Sequence, residues 1–291
     1  MKRAPTIVAI FGPTGIGKTA VAIALAERLR AEGEDPVAVS ADALQLYRGL
    51  EILTGAPDVR ERARLEHRLV GTLPLTASSS AGEFARAAHA EIDALLERGR
   101  RPIVVGGTGL YLRAALAELD LRPPVDPAIR ERRRAQLRRQ GAPALHAELA
   151  ARAPETAAAI RPQDAQRVTR ALELLDAGRP PPPGTESSEL WTAGLRHPTL
   201  LAGLTMEREA LNRRIGARID AMVAAGASAG ARQALGFQQL LDGDVEAMKT
   251  QTRRYAKRQL TWMRKLPDVA TIDVTGRTPE AVAEELHAAL A

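Results

Sequence analysis

The chain has 291 residues, with 41 lysines and arginines against 35 aspartates and glutamates, a formal net charge of +6 and a sequence pI of about 10.1. Hydrophobic residues make up 45% and charged ones 26%, which excludes a chain disordered throughout; aromatics at 3% exclude a broad stacking surface for single-stranded nucleic acid. The absence of cysteine excludes a disulfide framework, a Cys-ligated zinc and a thiol nucleophile.

Thr6 to Phe11 reads as a β-rich strand, followed by a Gly/Pro/Thr-rich loop and a helix from Thr19 to Arg30, the opening of an α/β unit. The apolar run ends at Gly12-Pro13, too short for a signal peptide core. No stretch approaches a membrane span, so a cytoplasmic protein without membrane contact is expected, a monomer by default. Val37 to Ser40 is a second strand ending at Ala41-Asp42, Ala81 to Arg98 a helix, and Ile103 to Val105 a third strand ending in Gly106-Gly107-Thr108-Gly109. Both strand ends place polar or flexible residues at the carboxyl edge, where open parallel sheets hold their ligands.

From Arg113 the strand signals give way to Arg/Ala/Leu-rich helical stretches as far as Gly178, and Arg179 to Ser188, with Pro180 to Pro183, reads as a stiff linker. Leu200 to Leu204 is a returning strand. A helical tract from Glu207 to Lys265 is broken near Gly226 to Gly230 and at Gly243, and Ala270 to Val274 is a last β-like run before a terminal helix.

Gly12, Pro13, Thr14, Gly15, Ile16, Gly17, Lys18 and Thr19 fit the phosphate-loop pattern G-x-x-x-x-G-K-[ST] between a strand and a helix. Glycines let backbone N–H groups face a phosphate, Lys18 adds a cation, Thr19 offers a hydroxyl to Mg²⁺, and the helix start adds its partial positive charge. The loop alone does not say whether the phosphates belong to a nucleotide such as ATP or to another diphosphate. The expected fold class is α/β, a P-loop NTPase-like parallel sheet core in two parts, residues 1–112 and 199–291, around a helical insertion at 113–198.

Asp42, just past the second strand, suits either a Mg²⁺ ligand or a general base. Positive charge gathers in two tracts. Arg130 to Arg139 holds six arginines, and Lys249 to Lys265 holds seven basic residues, no acid, and Tyr255 and Trp262, a composition able to grip phosphates and stack a base. The five histidines are dispersed without metal spacing.

Taken together, Gly12 to Thr19 (GPTGIGKT), Ser40 to Tyr47 (SADALQLY), Gly106 to Tyr111 (GGTGLY), Gln166 to Glu173 (QRVTRALE) and Ala256 to Trp262 (AKRQLTW) resemble, in order, the motifs of the tRNA dimethylallyltransferases, also called isopentenyl-tRNA transferases. The resemblance implies that the loop holds dimethylallyl diphosphate and that the prenyl group passes to N6 of the adenosine 3′ of the anticodon in tRNAs reading codons that begin with U. It implies catalytic roles for Asp42 as base, for Thr19 with Mg²⁺ and for Arg214 at the diphosphate. The tRNA anticodon stem-loop would meet Asp42, Ala43, Leu44 and Gln45; Thr108; Arg130; Gln166, Arg167, Val168, Thr169 and Arg170 of the insertion; and Gln233, Gly236, Phe237 and Gln238. His67 also stands where the family has histidine.

The chain departs from the family pattern in three places. Ala43 replaces a common serine, Thr54-Gly55-Ala56-Pro57 replaces G-T-A-K-P, and Ala224 to Leu235 is shorter by about a dozen residues, judged from the usual motif spacing. Two other readings share the loop and Asp42: an enzyme prenylating free adenine nucleotide, which needs no Arg-rich insertion, and a P-loop kinase or NTPase, for which no second Walker-type carboxylate follows an apolar run.

Overall fold

In the computed structural model of the protein, the described residues are 5–77, 79–119, 121, 124–179, 181, 194–225 and 242–290. Most of the Pro-rich linker read between Arg179 and Ser188 lies outside them. The chain forms two compact units, Met1–Leu119 with Ala193–Ala291, and Asp120–Thr192. Among the described residues, no helix is long and apolar enough to cross a membrane.

The larger unit is built on β1 (Ile7–Phe11), β2 (Pro36–Ser40), β3 (His67–Arg68), β4 (Arg101–Gly106), β5 (Thr199–Thr205) and β6 (Ala270–Asp273). The strands are parallel, in the order β3-β2-β4-β1-β5-β6. Five coincide with the apolar runs of the sequence. The sixth, β3, pairs only His67 and Arg68 with Ala38 and Val39 at the sheet edge, and two half-exposed polar residues leave no β pattern to read.

The helices in chain order are α1 (Lys18–Ala31), α2 (Glu51–Thr54), α3 (Val59–Arg64), α4 (Ala81–Glu97), α5 (Gly109–Leu116), α6 (Pro127–Arg152), α7 (Pro154–Ala158), α8 (Ala165–Asp176), α9 (Arg208–Ala224), α10 (Val245–Met263) and α11 (Pro279–Ala288). Because side chains alternate across a strand, Val8, Ile10, Ala38, Ile103, Ala202 and Leu204 enter a core shared with α1, α9 and α11. Ile7, Ala9, Phe11, Val37 and Val39, the alternate positions, are equally buried. Helices α4 and α5 pack on each other and on the strands, with the Phe84 and Tyr111 rings 4.8 Å apart.

This unit runs past residue 112 because Arg113 to Leu116 form the buried end of α5. It resumes before residue 199 because Leu195 bridges Ala117 and the Arg196 N–H donates to Leu116 O.

In the smaller unit α6 breaks at Gly141, where φ is 78° and ψ 166°, two residues ahead of Pro143, which cannot donate to a helix. Leu145, Leu149, Ala157, Val168, Ala171 and Leu172 form its core. Beside that core, Arg133 donates from Nε and Nη2 to the two oxygens of Asp176 at 2.6 and 2.7 Å and from Nη1 to Glu148 at 2.9 Å. Arg132 and Arg152 also reach Asp176. The Arg133 and Asp176 side chains are each 8% exposed, so this pairing of α6 with α8 is sheltered from water.

Arg133→Met is expected to destabilise the insertion by about 1–3 kcal/mol, since it removes the buried bonds of Asp176 while Arg132 and Arg152 still reach that carboxylate, whereas Arg134→Ala on the exposed side should shift it by less than about 0.5 kcal/mol; denaturant unfolding measures both. Hydrogen bonding to Arg133 above all, then to Arg132 and Arg152, holds the Asp176 carboxyl well below the usual carboxylate range. Its folded pKa therefore lies under the unfolded value of about 3.9. Its stabilisation is complete above that value and is lost as pH falls below it, so the unfolding midpoint should drop below about pH 4 and drop less steeply in Asp176→Asn.

Candidate active site

The phosphate loop leaves β1 at Gly12 and closes on the start of α1. Gly15 and Gly17 have φ of 81° and 101°, left-handed values that a residue with a Cβ rarely adopts. At the helix start the first-turn N–H groups have no acceptor within the helix, which makes the turn a ready anion site. The Lys18 ammonium donates to Gly12 O at 2.9 Å and Pro13 O at 3.1 Å. Burial, then the charge of Arg218, pushes its pKa down to about 8, with Asp42 acting the other way.

Arg214 lines the loop cavity with its guanidinium against Gly17. Arg218 lies four residues on and so on the same face of α9. Its Nη1 donates to Thr14 Oγ1 at 3.1 Å and its Nη2 to Thr54 O at 2.8 Å, and burial lowers its pKa. The bonds made by Lys18 and Arg218 all end on neutral oxygens. Among the described residues neither cation has a carboxylate within ion-pair distance. Arg218 was not singled out from the sequence, although its i+4 relation to Arg214 was there to be used.

Asp42 follows β2, and its Oδ1 accepts the Leu44 N–H at 2.9 Å. Gln45, three residues further, accepts from the Ser40 hydroxyl at 2.8 Å and donates to Gly55 O at 3.4 Å. Across the site Thr108 and Tyr255 share a hydroxyl hydrogen bond of 2.9 Å, and Arg258 lies over the Tyr255 ring at 5.6 Å. Burial raises the Tyr255 pKa, so the phenol stays protonated. Gln259, also missed in the sequence, is buried and bonds both Thr14 N–H and Gly107 O.

These side chains surround two cavities. One, of about 620 Å³, follows the phosphate loop past Lys18, Thr19, Ser40, Gln45, His67 and Arg214. The other, of about 290 Å³, is largely apolar at Leu53, Ile215, Ile219, Met222 and Met248, with Ala43, Leu44, Thr108 and Arg258 also on its wall. Thr14, Asp42, Thr54, Arg218 and Tyr255 line both. In the first cavity His67 keeps its Nδ1 against Leu65 O at 2.7 Å, and burial lowers its pKa. Among the described residues no group of three or more His, Asp or Glu side chains is set to hold a metal ion.

Within the smaller unit, Gln166 and Arg167 are exposed on the first turn of α8, and Arg170 is half-buried with an ion pair to Glu173 at 3.2 Å. Val168 and Thr169, expected at the tRNA, are instead buried, Val168 within the unit's own core. The 3.6-residue period turns 168, 171 and 172 inward when 166, 167 and 170 face out. Arg130 is half-exposed at the start of α6. The tract that follows is not a free cationic row: Arg132 and Arg133 are tied to Asp176 and Arg138 to Glu131. In the second tract Lys249 is bound to Asp220 and Glu246. Gln233, Gly236, Phe237 and Gln238, with most of the shortened segment at 224–235, lie outside the described residues.

The parallel sheet, the phosphate loop at its carboxyl edge and the convergence of two cations and a carboxylate there define a P-loop-type α/β enzyme. The profile of the IPP transferase family matches residues 45–266 and that of the isopentenyl transferases residues 5–76. The tRNA dimethylallyltransferase of Thiobacillus denitrificans is 40% identical, with 98% of this chain and 97% of that protein covered. That of Thermobifida fusca is 38% identical over 91% and 88%. The crystal structure of the full-length tRNA isopentenylpyrophosphate transferase from Bacillus halodurans is similar at a TM-score of 0.68 and 33% identity, covering 98% of this chain and 95% of that one. The chain belongs to the tRNA dimethylallyltransferase family.

With Lys18 half-deprotonated near pH 8, binding of inorganic pyrophosphate to the free protein should weaken as pH rises through that value, read by isothermal titration between about pH 7 and 9.5. Arg218→Met should move this step to higher pH, because the neighbouring positive charge is gone. It should also lower affinity about ten-fold at pH 7, the loss of one charge-assisted bond.

Proposed function

We propose that this protein transfers the dimethylallyl group of dimethylallyl diphosphate to N6 of the adenosine 3′ of the anticodon, position 37, in tRNAs reading codons that begin with U, forming N6-isopentenyladenosine. The observation that carries this reading is that Asp42 stands where the two cavities meet. One offers cations and loop amides to a diphosphate; the other offers an apolar wall with polar groups at Thr108, Tyr255 and Arg258.

The diphosphate is held by the loop amides, Lys18, Arg218 and Arg214, an arrangement that stabilises negative charge as it develops on the leaving group. The adenine must leave the base stack before its amine can reach an allylic carbon. N6 then attacks C1 of the prenyl group, the C1–O bond breaks with its electron pair going to the diphosphate, and the N6 proton passes to the Asp42 carboxylate. The Leu44 N–H bond keeps Asp42 in place for that transfer.

The donors near the loop are hard oxygens, the hydroxyls of Thr19 and Ser40 and the carboxylate of Asp42. They suit Mg²⁺, which takes most of its ligands from phosphate and water. Thr19 would hold it, and the ion would offset charge on the departing diphosphate. The tRNA is gripped through Arg130, Gln166, Arg167 and Arg170 on the insertion and through the basic side chains of α10.

Incubation with Mg²⁺, labelled dimethylallyl diphosphate and an unmodified anticodon stem-loop, with AMP and ATP as parallel acceptors, should label the stem-loop alone; label on AMP or ATP would overturn the reading. Asp42→Asn should lower kcat by about 10²–10⁴ while leaving pyrophosphate binding within about two-fold, since the base acts only in the chemical step. Arg167→Ala should raise the KM for tRNA and reduce the slope of log affinity against log salt by about 0.7–0.9, one phosphate contact.

A further inference from the structure

Gln259 is 5% exposed, and both ends of its amide are engaged. Its Oε1 accepts the Thr14 N–H at 2.9 Å and its Nε2 donates to Gly107 O at 2.5 Å. Only this orientation of the amide satisfies both partners, because the reverse would oppose donor to donor and acceptor to acceptor. A Cβ at Gly107 would overlap Gln259 Nε2 and stand 3.3 Å from Lys18 Nζ. The amide therefore packs beside the loop lysine, in space that exists because residue 107 has no side chain.

Thr14 is consequently held twice, its N–H by Gln259 of α10 and its hydroxyl by Arg218 of α9. The Ile16 N–H closes on Pro13 O at 3.4 Å. With the Thr14 and Ile16 amides so committed, the amides of Gly15, Gly17, Lys18 and Thr19 are the part of the loop left to an incoming anion. We infer that Gln259 is a positioning residue. It fixes the first limb of the phosphate loop from α10, at the wall of the loop cavity, and thereby sets affinity for the diphosphate. This role rests on the reading that the loop holds a diphosphate.

The test uses the full-length protein and Gln259→Leu, similar in size but without hydrogen bonds. A second variant, Gln259→Met, also uncharged and without hydrogen bonds but unbranched like glutamine, covers the case in which the Leu variant does not fold. Thermal unfolding selects the folded variants. Isothermal titration with inorganic pyrophosphate gives loop affinity without turnover, and steady-state rates give the KM for each substrate.

In the folded variants the pyrophosphate Kd and the KM for dimethylallyl diphosphate should each rise about ten-fold, while the KM for tRNA changes less than about two-fold, a split that general loosening of α10 would not produce. Pyrophosphate affinity within about two-fold of wild type in a folded variant would overturn the role of Gln259 alone. A wild-type protein that fails to bind pyrophosphate would overturn the diphosphate reading, and this role with it.

Discussion

The site depends on half-buried positive charge that, among the described residues, has no carboxylate within ion-pair distance. Lys18 and Arg218 line the cavity at the carboxyl edge of the sheet, where burial disfavours the charged form of each and the charge of Arg218 works against that of Lys18. Confining two cations in this way costs free energy that their bonds to neutral oxygens recover only in part. Under the proposed function the deficit would be made good by the diphosphate, whose oxygens are enough for both cations and for the loop amides. Asp42 tempers the repulsion from a distance.

Neither the charge nor the loop geometry belongs to the β1–α1 segment alone. Thr14 is joined to Arg218 across 204 residues of sequence and to Gln259 across 245. Helices α9 and α10, which follow the insertion, thus finish a loop that precedes it. Motifs far apart in the chain acquire a common explanation here. The glycines of Gly106-Gly107-Thr108-Gly109 make room for side chains of Ala256 to Trp262, since a Cβ at Gly107 would overlap Gln259 and one at Gly109 would overlap the Trp262 ring. Thr108 meets Tyr255 of the same helix.

Arginine serves two different purposes within the insertion. In the insertion, Arg133 is an internal brace, paired with Asp176 and Glu148 and spent on holding α6 to α8. Arg167 stands exposed on α8, its side chain available to a phosphate. Arginines of the insertion thus divide into braces and exposed side chains according to which helix face each occupies and which acids lie across from it.

Sequence alone determined what is set by neighbours in the chain. The strand-loop-helix at Gly12 to Thr19 was legible because its glycine positions are dictated by local backbone angles, and β1, β2, β4 and β5 were legible because parallel strands buried on both faces must be continuously apolar, while the mostly exposed β6 showed only as a short β-like run. The switch from core to helical insertion showed in the loss of those runs, and Asp42 was marked by its place at a strand end. Tertiary structure alone decided the rest. Two-residue β3 exists through its pairing with β2, Val168 turns inward because α8 needs a core face, and Arg132 and Arg133 are neutralised by Asp176, more than forty residues away. The i+4 step from Arg214 and the motif Ala256 to Trp262 pointed toward Arg218 and Gln259, but their bonds to Thr14 exist only where folded helices carried them there, because a hydrogen bond depends on distance in space.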